Sequence, residues 1–120
     1  DCERHNMLHP DTKPQVPYVT QLLEKTEGPI IASTDYMKSF ADQIRPYIPE
    51  GRQFKVLGTD GFGRSDFRTK LREHFEVDRH FVVLATLHAL VKEGKLKAEV
   101  SAKAIAKYNI NPNKVNPAHA

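Results

Sequence analysis

Residues 56–66, VLGTDGFGRSD, hold the densest set of groups able to do chemistry. Gly61 and Gly63 can take positive φ and let backbone N–H groups converge on a ligand. Arg64 adds a cation for an anion, and a helix start at Ser65-Asp66 would add the positive end of a dipole. Asp60 and Asp66 flank the same spot and repel anions. GFGRSD is neither G-x-G-x-x-G nor a P-loop with its Lys-Ser/Thr pair. On residue types alone, a plain strand-to-helix connector is the favoured reading. Position argues the other way, because ligands of open α/β sheets bind beyond the carboxyl ends of the strands. Ser33-Thr34-Asp35 shares that position.

Other chemistries find less support. Asp60 and Asp66 are a carboxylate pair of the kind used in acid–base work, although such residues more often cap helices and close turns. There is no G-x-S-x-G elbow. His5 and His9 are four apart, but nearby prolines argue against a helix there. His74, His80 and His88 are scattered, with no H-E-x-x-H and no Cys/His ladder, so no metal site is expected. His88, inside an apolar helix, reads as a hydrogen-bonded structural histidine. Cys2 is the only cysteine. It cannot form an intramolecular disulfide, which favours a reducing compartment.

The elements that must position these groups follow from periodicity. Residues 1–16 carry Pro10 and Pro14 and read as an extended lead-in. Pro17 opens a helix with Tyr18, Val19, Leu22 and Leu23, stopped by Gly28 and Pro29. PIIAS (29–33) reads as a buried strand. Thr34 or Asp35 is the expected cap of the next helix. There Met37, Phe40, Ala41, Ile44 and Ile48 form one apolar stripe, read as core rather than as a cofactor box. QFKVLG (53–58) reads as a second strand. Ser65 or Asp66 is expected to cap a helix with Phe67, Leu71 and Phe75. Asp78 is expected to cap another, apolar nearly all round over 81–91 and so buried. Gly94 ends it, and a last helix spans about 97–108. The tail from residue 109 reads as a surface extension.

Strand–helix–strand order makes the class α/β with a parallel crossover. The chain has 120 residues, enough for one core. Two strands are few for a stable sheet, which normally needs three or more. The expectation is therefore a C-terminal part of a larger domain whose opening strands lie upstream. A start at Asp1 rather than Met fits an engineered or a proteolytic boundary. The less favoured alternative makes CERHNML an irregular third strand.

Composition excludes several classes. Apolar residues make up 39% and charged residues 28%, ordinary values for a globular protein. No apolar run reaches the roughly 20 residues of a membrane span, and no signal peptide is visible. Net charge is +3, with basic residues dispersed among acids. Neither a basic stripe nor an RNA-binding aromatic signature is present, so nucleic acid is not an expected partner.

ASTDYMKSFADQIRPYIP and FKVLGTDGFGRSDFRTKLREHFEVD resemble the C-terminal domain of the homodimeric bacterial pyruvate dehydrogenase family. ERHNMLHP and the ending AIAKYNI-x-x-x-KVNP fit the same family, so the resemblance covers nearly the whole chain. It implies a three-layer, transketolase C-terminal-like domain with a mostly parallel sheet, here lacking its opening strand region. It implies 17–110 as the α/β portion, between the 1–16 lead-in and a 111–120 tail. Family enzymes decarboxylate pyruvate on thiamine diphosphate with Mg. They then acetylate the lipoyl group of dihydrolipoyl acetyltransferase, in the bacterial cytoplasm. Cofactor-binding and principal catalytic residues of the family lie in upstream domains, and none carries onto positions here.

The resemblance thus implies no cofactor in this chain and no activity of the isolated chain. Its implied partners are the upstream domains of the same enzyme, a homodimer partner and, through the full enzyme, dihydrolipoyl acetyltransferase, with no membrane. The loop Asp60, Gly61, Phe62, Gly63, Arg64, Ser65 and Asp66 is the candidate for approach to other domains. Arg64 would pair with a carboxylate there, and Phe62 would fill an interface pocket. The competing class is a free-standing α/β interaction or regulatory module.

Overall fold

In the computed structural model, residues 1–60 and 68–119 are described. Among them, β1 (Ile30–Ser33) and β2 (Phe54–Leu57) pair in parallel, with Ile30 opposite Phe54 and Ser33 opposite Leu57. The connection between them carries α3 (Lys38–Asp42) and a 3-10 turn, Arg45–Tyr47. The α/β class and the strand–helix–strand order are as expected.

Alternation along a strand sends successive side chains to opposite faces. Ile31 and Leu57 therefore share one face, and pack with Phe75, Val77, Leu71, Phe81, Val82 and Ala85. These come from α4 (Arg68–His74), the turn after it, and α5 (Arg79–Lys92). On the other face Phe54 is buried, with the Arg45 guanidinium 5.0 Å from its ring centroid. α6 (Ala98–Lys107) packs along α5.

Helix ends show why these segments fold locally. Asp78 caps α5 as its sequence suggests, accepting from Phe81 N at 3.0 Å. Gly94, at φ +76, follows the α5 C-cap; its N–H reaches Val91 O while Lys95 N reaches Leu90 O. This is the Schellman pattern that glycine favours. Asn109, at φ 53, closes α6 the same way through Ala106 O and Ile105 O.

Several expectations are corrected. The lead-in is not all extended: Cys2–Leu8 forms helix α1. Pro10 lies beyond its end, so it removes no intrahelical donor, and His5 and His9 fall in contact with ring centroids 4.5 Å apart. Asn6 and Gln15 exchange two hydrogen bonds and fold the following loop back on α1. α2 (Tyr18–Glu24) ends before Gly28, because Thr26 N–H and its hydroxyl both turn to Leu23 O.

Neither Thr34 nor Asp35 caps α3. Thr34 Oγ1 accepts from Tyr36 N, Asp35 pairs elsewhere, and Met37 holds the cap position. The strand β1 is half-buried rather than buried. Met37, Phe40 and Ile44 are exposed rather than core, at 53%, 55% and 37%. The spacing defines an apolar face correctly, but no described segment covers it. α5 buries only Ala89 fully; Val83 and His88 point outward, so His88 is not an internal structural histidine.

The tail also departs from its reading. Lys114 Nζ donates to His74 O at 3.1 Å and pairs with Glu76 at 3.0 Å, and Pro117 is buried. Glu76 sits at φ 61, just past the C-cap of α4. That position normally takes glycine or asparagine, and here Lys114 holds its side chain.

Candidate functional site

The carboxyl end of β1 opens into a cleft of about 430 Å³. Ser33, Thr34 and Asp35 form one wall; Thr34 and Asp35 lie beyond the strand end as expected, whereas Ser33 is the last residue of β1 itself. The opposite walls come from α4, with Arg68, Thr69 and Arg72, and from the start of α5, with Asp78, Arg79 and His80. Arg68 and Arg72 are four apart on a helix and therefore share a face.

Arg72 and Asp35 form the one charge pair across this cleft among the described residues. Arg72 Nε lies 3.2 Å from Asp35 Oδ1, and Nη2 lies 2.9 Å from Oδ2. This two-point contact fixes the planes of both groups. The hydrogen bonds from Arg72 hold the Asp35 carboxyl below the usual carboxylate value. Slight burial opposes that shift, and the charges of Arg72 and Arg68 add to it. Asp35 in turn raises the Arg72 guanidinium above its usual value.

The remaining groups differ in commitment. Asp78 spends Oδ1 on the α5 cap. His80 stacks on Tyr108, with ring centroids 4.4 Å apart and planes within 10°. Arg68 and Arg79 are exposed and make no hydrogen bond or ion pair among the described residues. The cleft thus presents guanidinium donors beside two carboxylates that are already engaged.

A second, smaller cavity of about 210 Å³ lies at the end of β2. Asp60 opens onto it, and its Oδ1 accepts from Lys38 N at 3.2 Å, supporting the first turn of α3. Of the loop singled out in the sequence, Asp60 alone is described. Gly61, Phe62, Gly63, Arg64, Ser65 and Asp66 lie outside the described residues. So do the expected cap of α4 and Phe67.

Among the described residues no group of three or more His, Cys, Asp or Glu is arranged to hold a metal ion. No described helix is long and apolar enough to cross a membrane. Sequence reasoning missed Arg68, Arg72, Arg79 and His80 as one cluster. Its only trace was the i, i+4 arginine pair and the Arg-His step after the Asp78 cap. Which way those faces turn is decided by packing on β1.

The family model described as the transketolase-like TK C-terminal domain matches residues 5–78. Among curated proteins, the chain is 59% identical over 115 residues to the pyruvate dehydrogenase E1 component of Pseudomonas aeruginosa, covering 96% of this chain. It is 56% identical over 117 residues to that of Escherichia coli strain K12, covering 98%. It is 52% identical over 120 residues to that of Haemophilus influenzae, covering 100%. The chain spans 13% of the length of each of these three relatives.

Proposed function

Since the chain belongs to the family of transketolase-like C-terminal domains, we propose that it serves as the non-catalytic C-terminal domain of a pyruvate dehydrogenase (acetyl-transferring). The full protein would decarboxylate pyruvate on thiamine diphosphate and transfer the acetyl group to the lipoyl group of dihydrolipoyl acetyltransferase. One observation carries this reading: identity of 59% across 96% of the chain to a protein called pyruvate dehydrogenase E1 component.

In this reading the domain supports assembly and shapes the surroundings of an active site built elsewhere. The exposed Tyr36, Met37 and Phe40 face, unmatched by any described segment, supports a packing role. Residues 17–110 form the α/β portion, with 1–16 and 111–120 as flanking segments. The loop 60–66 is the part that approaches other domains, where Arg64 pairs with a carboxylate and Phe62 fills an interface pocket. The full enzyme is a cytoplasmic homodimer.

Thiamine diphosphate and magnesium belong to the full enzyme. The described residues do not fit the metal, since they offer no cluster of ligating side chains. No chemical step is therefore assigned to this chain.

The test is an assay of pyruvate-dependent acetyl transfer with thiamine diphosphate and magnesium supplied. The full-length protein is expected to turn over and the isolated chain to be inactive. A full-length protein without this activity contradicts the reading. So does an active isolated chain. In the full enzyme, Arg64→Gln is expected to weaken assembly and lower turnover; unchanged assembly and rate remove its proposed role.

A further inference from the structure

We propose that the cleft at the carboxyl end of β1 binds a phosphorylated small molecule, held between Arg68 and Arg79. The cavity, at about 430 Å³, falls within the roughly 300–1,000 Å³ usual for small-ligand sites. It exceeds the needs of a lone inorganic ion.

The charge distribution selects the ligand class. Among the described residues, three arginines and two aspartates line the cleft, a formal surplus of one positive charge (3 − 2). Both aspartates are already committed. Asp35 faces the Arg72 fork, and Asp78 Oδ1 accepts from Phe81 N. Asp35 also attracts Arg68 through space and Asp78 keeps its charge, so Arg68 and Arg79 are only partly balanced; neither makes a hydrogen bond or ion pair among the described residues.

Guanidinium groups remain charged at any physiological pH, and their planar fork matches the oxygens of a phosphate group. Arg72 uses Nε and Nη2 on Asp35, and its Nη1 makes no hydrogen bond among the described residues. A third donor is therefore held in a fixed plane without a new ordering cost. The Thr69 side chain offers a hydroxyl on the same wall.

The inference is independent of the proposed reaction: a phosphorylated ligand here is a regulator or a substrate whichever enzyme carries the domain. Its failure would leave the assembly role intact.

The experiment uses the full-length protein with thiamine diphosphate and magnesium present, so that any site for them is saturated. Inorganic pyrophosphate is titrated as the probe, and hydrogen exchange is followed in peptides spanning 68–80. Saturable protection is expected, weakened about tenfold by Arg68→Gln and again by Arg79→Gln, as each loses a charge-assisted contact. Both side chains are exposed, so the variants should fold; the melting temperature of each checks this. Lys103→Gln, an exposed cation on α6, is expected to leave protection unchanged.

Three outcomes overturn the proposal. One is no protection at any pyrophosphate concentration. Another is protection that the arginine variants and Lys103→Gln reduce equally, which marks diffuse charge attraction. The third is full protection of 68–80 before any probe is added, which marks a cleft filled by a carboxylate segment of the protein itself.

Discussion

Gly58 is buried where the loop before α3 crosses the end of β2. A Cβ there would lie 2.8 Å from Lys38 Cγ, 2.9 Å from Lys38 N and 2.9 Å from Tyr36 O. Two of those atoms are backbone and cannot swing aside. Gly58→Ala is expected to displace the loop that holds the Thr59 N to Tyr36 O bond. The cost is about 1–3 kcal/mol, the range for overpacking, read as a fall in melting temperature of the full protein. Asp35 makes a second prediction. Its carboxyl is depressed from the ordinary 3.8 by its bonds with Arg72. A depressed carboxylate adds stability above its unfolded value and loses it as pH falls through the folded one. The contribution is thus present above about pH 4 and disappears below it. Asp35→Asn should flatten that part of the stability–pH profile and leave neutral-pH stability little changed, because the pair is exposed. The sequence placed Asp35 at a strand end. It did not reveal Arg72 as its partner, because that contact joins residues 37 apart.

At the scale of elements, one arginine ties the entry to the sheet. Arg52 donates to Gly28 O at 2.6 Å, Leu23 O at 2.8 Å and Thr26 O at 2.9 Å. It thereby ties together the carbonyls where α2 stops and β1 begins, sharing Leu23 O with the Thr26 N–H and hydroxyl. Arg52→Ala is expected to cost about 1–2 kcal/mol, since three acceptors lose a charged donor near the surface, and to raise hydrogen exchange over 23–30. Lys114 does the equivalent at the end of α4. Lys114→Ala should loosen both the left-handed Glu76 turn and the tail, a cost of about 1 kcal/mol, seen as faster exchange in 74–77 and 111–119. Asp78 and Gly94 were readable from the sequence because a cap acts through its immediate neighbours. The Lys114 lock was not, since its partners are 38 and 40 residues away. The Met37–Phe40–Ile44 stripe shows the limit from the other side. Periodicity tells which residues share a helix face, and says nothing about what covers it.

For the whole molecule, the numbers describe a thin core. The radius of gyration is 17.6 Å, against about 14 Å for a compact chain of this length. Among the described residues no side chain is less than 2% exposed. The two-stranded sheet is fewer than the three or so strands an independent sheet needs, and apolar side chains such as Met7, Tyr36 and Phe40 face outward. The isolated chain is therefore expected to self-associate or to melt with low cooperativity. A monodisperse monomer with one sharp transition, by light scattering and calorimetry, would contradict this. The α/β class and the shortage of strands were legible from element order alone. The arginine cleft was not, because it exists only once α4 and α5 have packed against β1.

The central claim is that this chain works as part of a larger enzyme whose chemistry lies elsewhere. Its most direct test is the intact mass of the native protein in a cell extract, detected with an antibody to residues within this segment. The account predicts a species several-fold heavier than 13.6 kDa. A native species near 13.6 kDa would contradict it and make the chain a free-standing module.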